Sequence, residues 1–302
     1  MFGRDPVDVI TELEWLEAEG FETVVVFPLP GLGASPEKVF DMIPGAYQEL
    51  TGLNTARTAN DDLQSWLDFD RRWRARPRKM KVLSFLDVRG WDGNTDLAVW
   101  WGDGHAGLKS IIIEEEDGAK MRMPPLRRVP GLSRADYLDA QRAVFEASSR
   151  LNVPLVYHAD LSLHSGFVEE CLQAHPLLRV NVPHFGFSRK RMAGLLDRYD
   201  GLMTDISSLG PHIDTAPASY RDFILDYPDR VMLGSDAIAS HDMRLGMAYV
   251  ERVRKLRLPP DIEAGVLMEN ARRFLYGGGD EKHLHTGSAA YGKGATEILL
   301  PR

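Results

Sequence analysis

Val153-Pro154-Leu155-Val156-Tyr157-His158, Val180-Asn181-Val182-Pro183-His184, Leu202-Met203-Thr204-Asp205 and Val231-Met232-Leu233-Gly234-Ser235-Asp236 are four short apolar runs, each ending in a side chain able to bind a metal. Helical patterns separate them. Strands that are apolar throughout suit a parallel sheet buried on both faces, and alternation with helices places those helices outside it. A parallel barrel gathers its polar groups at the C-terminal ends of its strands, where such barrels carry their chemistry. The series therefore predicts an α/β fold of the (β/α)8 TIM-barrel type with a polar mouth.

Working outward, the same alternation extends in both directions. Toward the C-terminus the pattern predicts helices over 133–151, 166–174, 188–199 and 216–227, and further helices through Phe274. Toward the N-terminus, Asp5-Pro6 reads as an N-cap followed by proline at the first helical position, with Val7, Ile10, Leu13 and Leu16 at helical spacing up to Gly20. Strands are expected over 23–28, 80–87 and 108–113, with a short helix over 96–104. The count is seven strands, so the barrel is distorted and its usual first strand is missing or replaced. Residues 1–276 form one barrel domain on this reading, and residues 277–302, opening on three glycines, form a C-terminal tail. Two insertions, 31–76 and 117–132, are placed to shape a pocket at the mouth.

Composition narrows the partners. The 302-residue chain carries a formal net charge of −8 and a pI near 5.6, which argues against a nucleic-acid surface. Arg71-Arg72-Trp73-Arg74 is expected to decorate a solvated helix. No apolar run reaches the length of a membrane span, and Met1-Phe2-Gly3-Arg4-Asp5-Pro6 does not read as a secretory signal. The single cysteine, Cys171, falls in a helical pattern and is expected to be buried, so a reducing, cytoplasmic setting is the default. A small-molecule substrate is the expected partner, and barrels of this kind often pair as homodimers.

Imidazole nitrogen and carboxylate oxygen suit Zn²⁺ first, and also Fe or Mn²⁺. His158, His184 and Asp236 can supply three ligands to one or two divalent ions, and Glu114, at the end of the third strand, a fourth or a bridge. A bound metal would lower the pKa of water to roughly 7, with Asp236 orienting the water or shuttling its proton. Asp205 is placed in a supporting role. His164, His212 and His241 follow strands and are weaker candidates.

These strand ends, together with His175-Pro176-Leu177-Leu178-Arg179, Phe185-Gly186 and Glu269-Asn270-Ala271-Arg272-Arg273-Phe274-Leu275, resemble the successive signatures of the amidohydrolase-related (amidohydrolase 2) branch of the amidohydrolase superfamily, from Val7 to Tyr276. The resemblance implies a distorted (β/α)8 barrel with one or two metals at its mouth. It matches His158 to the fifth-strand ligand, His184 to the sixth-strand histidine that binds metal or polarises substrate, and Asp236 to the eighth-strand ligand and proton shuttle. It implies a metal-dependent hydrolase or lyase acting on a small organic acid, amide or lactone. The family's first-strand His-x-His has no counterpart before Asp5. The chain begins downstream of the natural start, or His283-Leu284-His285 in the tail supplies a replacement strand, or Glu114, Glu116, Asp160 and His164 rebuild the site. The last option leaves open a dinuclear non-haem iron oxygenase on the same fold, and loss of the ligands leaves open a non-catalytic binding barrel.

Overall fold

The computed structural model describes residues 6–27, 69–88, 97, 105–112, 114, 117, 133–237 and 244–277. The expected helix over 96–104, Glu116, His241 and the tail with His283 and His285 lie outside these residues, apart from the helical Leu97.

Seven parallel strands form one sheet in strict sequence order. They are β1 Thr23–Val26, β2 Lys81–Asp87, β3 His105–Ile111, β4 Leu155–His158, β5 Val180–Val182, β6 Leu202–Asp205 and β7 Val231–Met232. Laid flat, β1 and β7 would stand roughly 29 Å apart at the usual strand spacing. Yet Val25 and Phe27 from the β1 side share one apolar cluster with Phe85, Val156, Met203 and Met232. The sheet is therefore strongly curled, and these side chains fill its concave face.

The opposite face is covered by helices. They are α1 Pro6–Ala18, α2 Arg134–Leu151, α3 Leu161–Ala174, α4 Arg189–Leu196, α5 Gly210–Thr215, α6 Pro217–Asp226, α7 Leu245–Lys255, α8 Pro260–Ala264 and α9 Asn270–Tyr276. In α2 the stripe Tyr137, Ala140, Val144, Phe145 and Ala147 is buried, as an amphipathic helix on a sheet requires. Its ends are fixed locally: Ser133 and Asp136 form a reciprocal capping box, and Asn152 closes the C-terminus at φ 53°. Leu13 and Leu16 of α1 pack with Val82, Phe69 and Trp73, while Arg71, Arg72 and Arg74 stay exposed, as expected for that arginine-rich stretch. Gly246 of α7 approaches Phe21 and Leu16, and Arg244 lies 5.1 Å from the Trp15 ring, so helices from the two ends of the sheet meet.

The end of the barrel away from the mouth is closed by α9. Phe274 and Leu275 enter the concave cluster. Arg179, just before β5, donates from Nη1 to Phe274 O at 2.7 Å and Leu275 O at 2.6 Å, and from Nη2 to Asn152 O at 3.0 Å. Burial lowers the pKa of this guanidinium, and the three carbonyls satisfy it. Cys171 is 3% exposed, as its helical setting implied, and burial pushes its thiol up to about 12.

Several boundaries differ from the sequence expectation. β3 begins at His105 instead of residue 108, because a β-bulge between Ser84 and Phe85 brings His105 beside Ser84. Helix α3 begins at Leu161, five residues before the expected start. Its Gly166 is exposed and costs only about 1 kcal/mol, less than burial of the Leu161 side chain returns. β7 ends at Met232 and does not run on to Asp236, since Leu233 N turns away to donate to Val266 O at 2.8 Å. That acceptor lies in a π-helical turn, Gly265–Glu269.

Candidate active site at the barrel mouth

His158 is the last residue of β4 and lies in register with Ile111. Tyr157 faces the helices, where its hydroxyl donates to Gln141 Oε1 at 3.0 Å, so strand alternation turns His158 to the concave side. Asn181 is the register partner of Val156 and Met203, and shares their inward face. Lys109 pairs with Val156 from the other side, and its Nζ donates to Ser110 O at 3.0 Å.

After β5 the chain enters a turn, His184–Phe187, whose residues all have positive φ: 58°, 51°, 54° and 54°. Three of the four are not glycine, and each costs roughly 1–2 kcal/mol in this region. Packing and hydrogen bonds hold the turn. Phe185 is buried against Tyr220 and Phe223, its N–H donates to Thr204 Oγ1 at 3.1 Å, and Gly186 N donates to Pro183 O at 2.8 Å. A Cβ on Gly186 would fall 2.3 Å from Leu161 Cγ, so only glycine fits against the start of α3. Ser208 and Asp236 also have positive φ, 55° and 56°. Backbone strain of this kind gathers at functional sites, where the surrounding structure over-determines it.

The turn delivers His184 beside His158, with ring centroids 5.2 Å apart and planes at 69°. Phe187, half exposed, leans on both rings at 5.4 and 5.3 Å. His184 Nδ1 lies 2.8 Å from Ser207 O and 2.9 Å from Ser207 Oγ. A carbonyl oxygen only accepts, so Nδ1 carries a proton, and in the tautomer this selects the lone pair is on Nε2. Nε2 lies 3.9 Å from Asp236 Oδ2, which accepts from Ser208 Oγ at 2.7 Å.

Beneath this group, the buried Asp205 carboxylate gathers four donors. Asn181 Nδ2 reaches Oδ2 at 2.7 Å; His184 N at 3.3 Å, Ser207 N at 3.0 Å and Ser207 Oγ reach Oδ1. Gly234 makes room, since a Cβ there would stand 3.1 Å from Asp205 Cγ. Asp205 thus links Asn181, His184 and Ser207.

The other candidates have partners of their own. Asp160 does not continue the face of His158. It N-caps α3 by accepting from Ser162 N at 2.8 Å and Ser162 Oγ at 2.6 Å, because an aspartate just ahead of a helix start satisfies its free N–H groups. Glu114 is bound by Arg134, Nε to Oε1 at 2.5 Å and Nη2 to Oε2 at 2.8 Å, which occupies both oxygens. Asp117 Oδ2 accepts from Glu114 N at 2.8 Å and lies 2.7 Å from His164 Nε2, so His164 joins that second polar group. His212 is exposed on α5. Among the described residues, no group of three or more His, Cys, Asp or Glu side chains is spaced to hold a metal ion. The donor chemistry at His184, Asp236 and His158 does fit a divalent ion: two imidazoles and a carboxylate, with one nitrogen's lone pair already aimed.

Sequence reasoning passed over Asn181, Ser207, Ser208 and Phe187. A polar residue at the inward position of Val-Asn-Val was a signal for Asn181. Nothing in the pattern marks Phe187, whose place depends on the left-handed turn.

A family profile described as Amidohydrolase matches residues 103–276. Among solved structures, the chain resembles the phosphotriesterase homology protein from Escherichia coli, crystallised with phosphate in its active site: 14% identity, TM-score 0.58, covering 90% of each chain. It also resembles dihydroorotase from Campylobacter jejuni, at 15% identity and TM-score 0.54, covering 90% of this chain and 79% of that one. At such identity the likeness is one of fold. No curated protein sequence matches the chain.

Proposed function

Since this chain belongs to the amidohydrolase family, we propose that it is a metal-dependent hydrolase or lyase acting on a small organic acid, amide or lactone at the barrel mouth. The observation that carries the reading is His184: its Nδ1–H is tied to Ser207, and Nε2 faces Asp236 with His158 alongside. His158, His184 and Asp236 would hold the ion, Zn²⁺ foremost. When bound, it would supply a Lewis acid and a water acidic enough to react at neutral pH.

The chain's own groups do the rest. Ser207 keeps the His184 ring in one tautomer, so its Nε2 lone pair would meet the ion without reorganisation. Ser208 holds Asp236 by Oδ2, leaving Oδ1 to take a proton from the attacking water and return it to the leaving group. Phe187 covers one side of the imidazole pair and limits bulk water there. A carboxylate-rich iron site has less support, because Glu114 is engaged by Arg134 and Asp160 caps α3.

The test is metal content and hydrolysis of an ester, amide and lactone panel by wild type, His184→Ala and Asp236→Asn. Wild type should retain a divalent ion and hydrolyse at least one class. Both variants should lose hydrolysis by at least a hundredfold, and His184→Ala should lose the ion. Full metal in His184→Ala would sink the assignment.

A further inference from the structure

We propose that Asn181 is a positioning residue: its amide orients Asp205, and through Asp205 and Ser207 it fixes the tautomer of His184. The metal arm of the test below rests on the function proposed above; the tautomer arm does not.

Asn181 stands where a barrel of this kind wants an apolar side chain. It is 5% exposed, and its register neighbours on the inner face are Val156 and Met203. Only half of its amide is used. Nδ2 donates to Asp205 Oδ2 at 2.7 Å, while Oδ1 is buried with no hydrogen-bond partner among the described residues. A buried carbonyl left this way is a cost to the fold that an apolar side chain would not carry. What the amide gains is control of the neighbouring carboxylate. With Oδ2 pinned from the barrel interior, Oδ1 is turned to His184 N, Ser207 N and Ser207 Oγ. Ser207 so held presents both its carbonyl and its hydroxyl to His184 Nδ1. One continuous line of hydrogen bonds therefore runs from the apolar interior to the imidazole at the mouth. It crosses from β5 to the end of β6 and back to the turn after β5, and each bond restricts the next.

The experiment reads the ring nitrogens of His184 by NMR in the full-length chain labelled with ¹⁵N-histidine, the signal being assigned by its loss in His184→Gln. At a pH where the imidazole is deprotonated to its neutral form, wild type is expected to hold the remaining proton on Nδ1. Asn181→Leu takes the donor from Asp205 Oδ2 and should fold with lower stability, show a mixture of tautomers, and bind Zn²⁺ about 10–100-fold more weakly. The exchanged pair, Asn181→Asp with Asp205→Asn, restores a donor and an acceptor but moves the carboxylate away from Ser207. It should recover stability without recovering the single tautomer. A wild-type ring protonated at Nε2, or an unchanged His184 spectrum in either Asn181→Leu or the exchanged pair, overturns the proposal. If Asn181→Leu does not fold, the exchanged pair decides alone. A wild type that binds no Zn²⁺ but shows the tautomer change supports the positioning role and counts against the metal reading only.

Discussion

At the scale of single residues, His105 makes burial measurable. It sits against Ser84, Nδ1 to Oγ at 3.0 Å, and burial lowers its pKa from 6.5 to about 4. Between those values the unfolded chain binds a proton that the folded chain refuses. Stability from this group is thus complete above pH 6.5 and falls as pH drops toward 4, by up to ~3 kcal/mol. Urea unfolding of wild type and His105→Gln across pH 4–7 should show a steeper loss for wild type; parallel curves would mean the imidazole is not desolvated as described. A second residue-scale prediction concerns Ser208. Ser208→Ala removes the donor that holds Asp236, so Zn²⁺ affinity measured by competition with a chelator dye should drop about tenfold. Thermal stability should stay within about 0.5 kcal/mol, because the pair is exposed.

At the scale of elements, the left-handed turn His184–Phe187 separates what a sequence shows from what it hides. The strands around it were legible because parallel strands buried on both faces read as unbroken apolar runs, and α2 was legible from its helical pattern over 133–151. The turn was not, since the sign of φ at His184 and Phe185 is held by Thr204, Asp205 and Tyr220, which are remote in sequence. Asp160 misled for a related reason: alternation places it on the face of His158 only if the strand continues, and a helix start intervened. His158, His184 and Asp236 could be picked out from strand ends, but which nitrogen of His184 faces Asp236 needed the structure. The turn itself is testable. Gly186→Ala combines φ +54° with a Cβ 2.3 Å from Leu161 Cγ and should cost roughly 2–4 kcal/mol by chemical denaturation. Adding Leu161→Ala removes the clash but not the φ, so the two changes together should cost less than the sum of their separate effects.

At the scale of the molecule, the barrel depends on its base as much as on its mouth. Arg179 ties the last two residues before Tyr276 to the start of β5, across about a hundred residues of chain. Arg179→Met strips three carbonyls of a charged donor and should destabilise the fold by about 2–4 kcal/mol. Hydrogen exchange should locate the loss at α9 first, whereas uniform exchange across the barrel would show that the clamp acts on the whole.

Cys171 gives that global behaviour a reporter. It is the chain's single thiol, 3% exposed on the buried face of α3, and burial keeps it protonated. A disulfide reagent added to the native protein can react only when the helix layer lifts from the sheet. The labelling rate therefore becomes a clock for rare opening, readable without mutation and sensitive to any ligand that tightens the barrel.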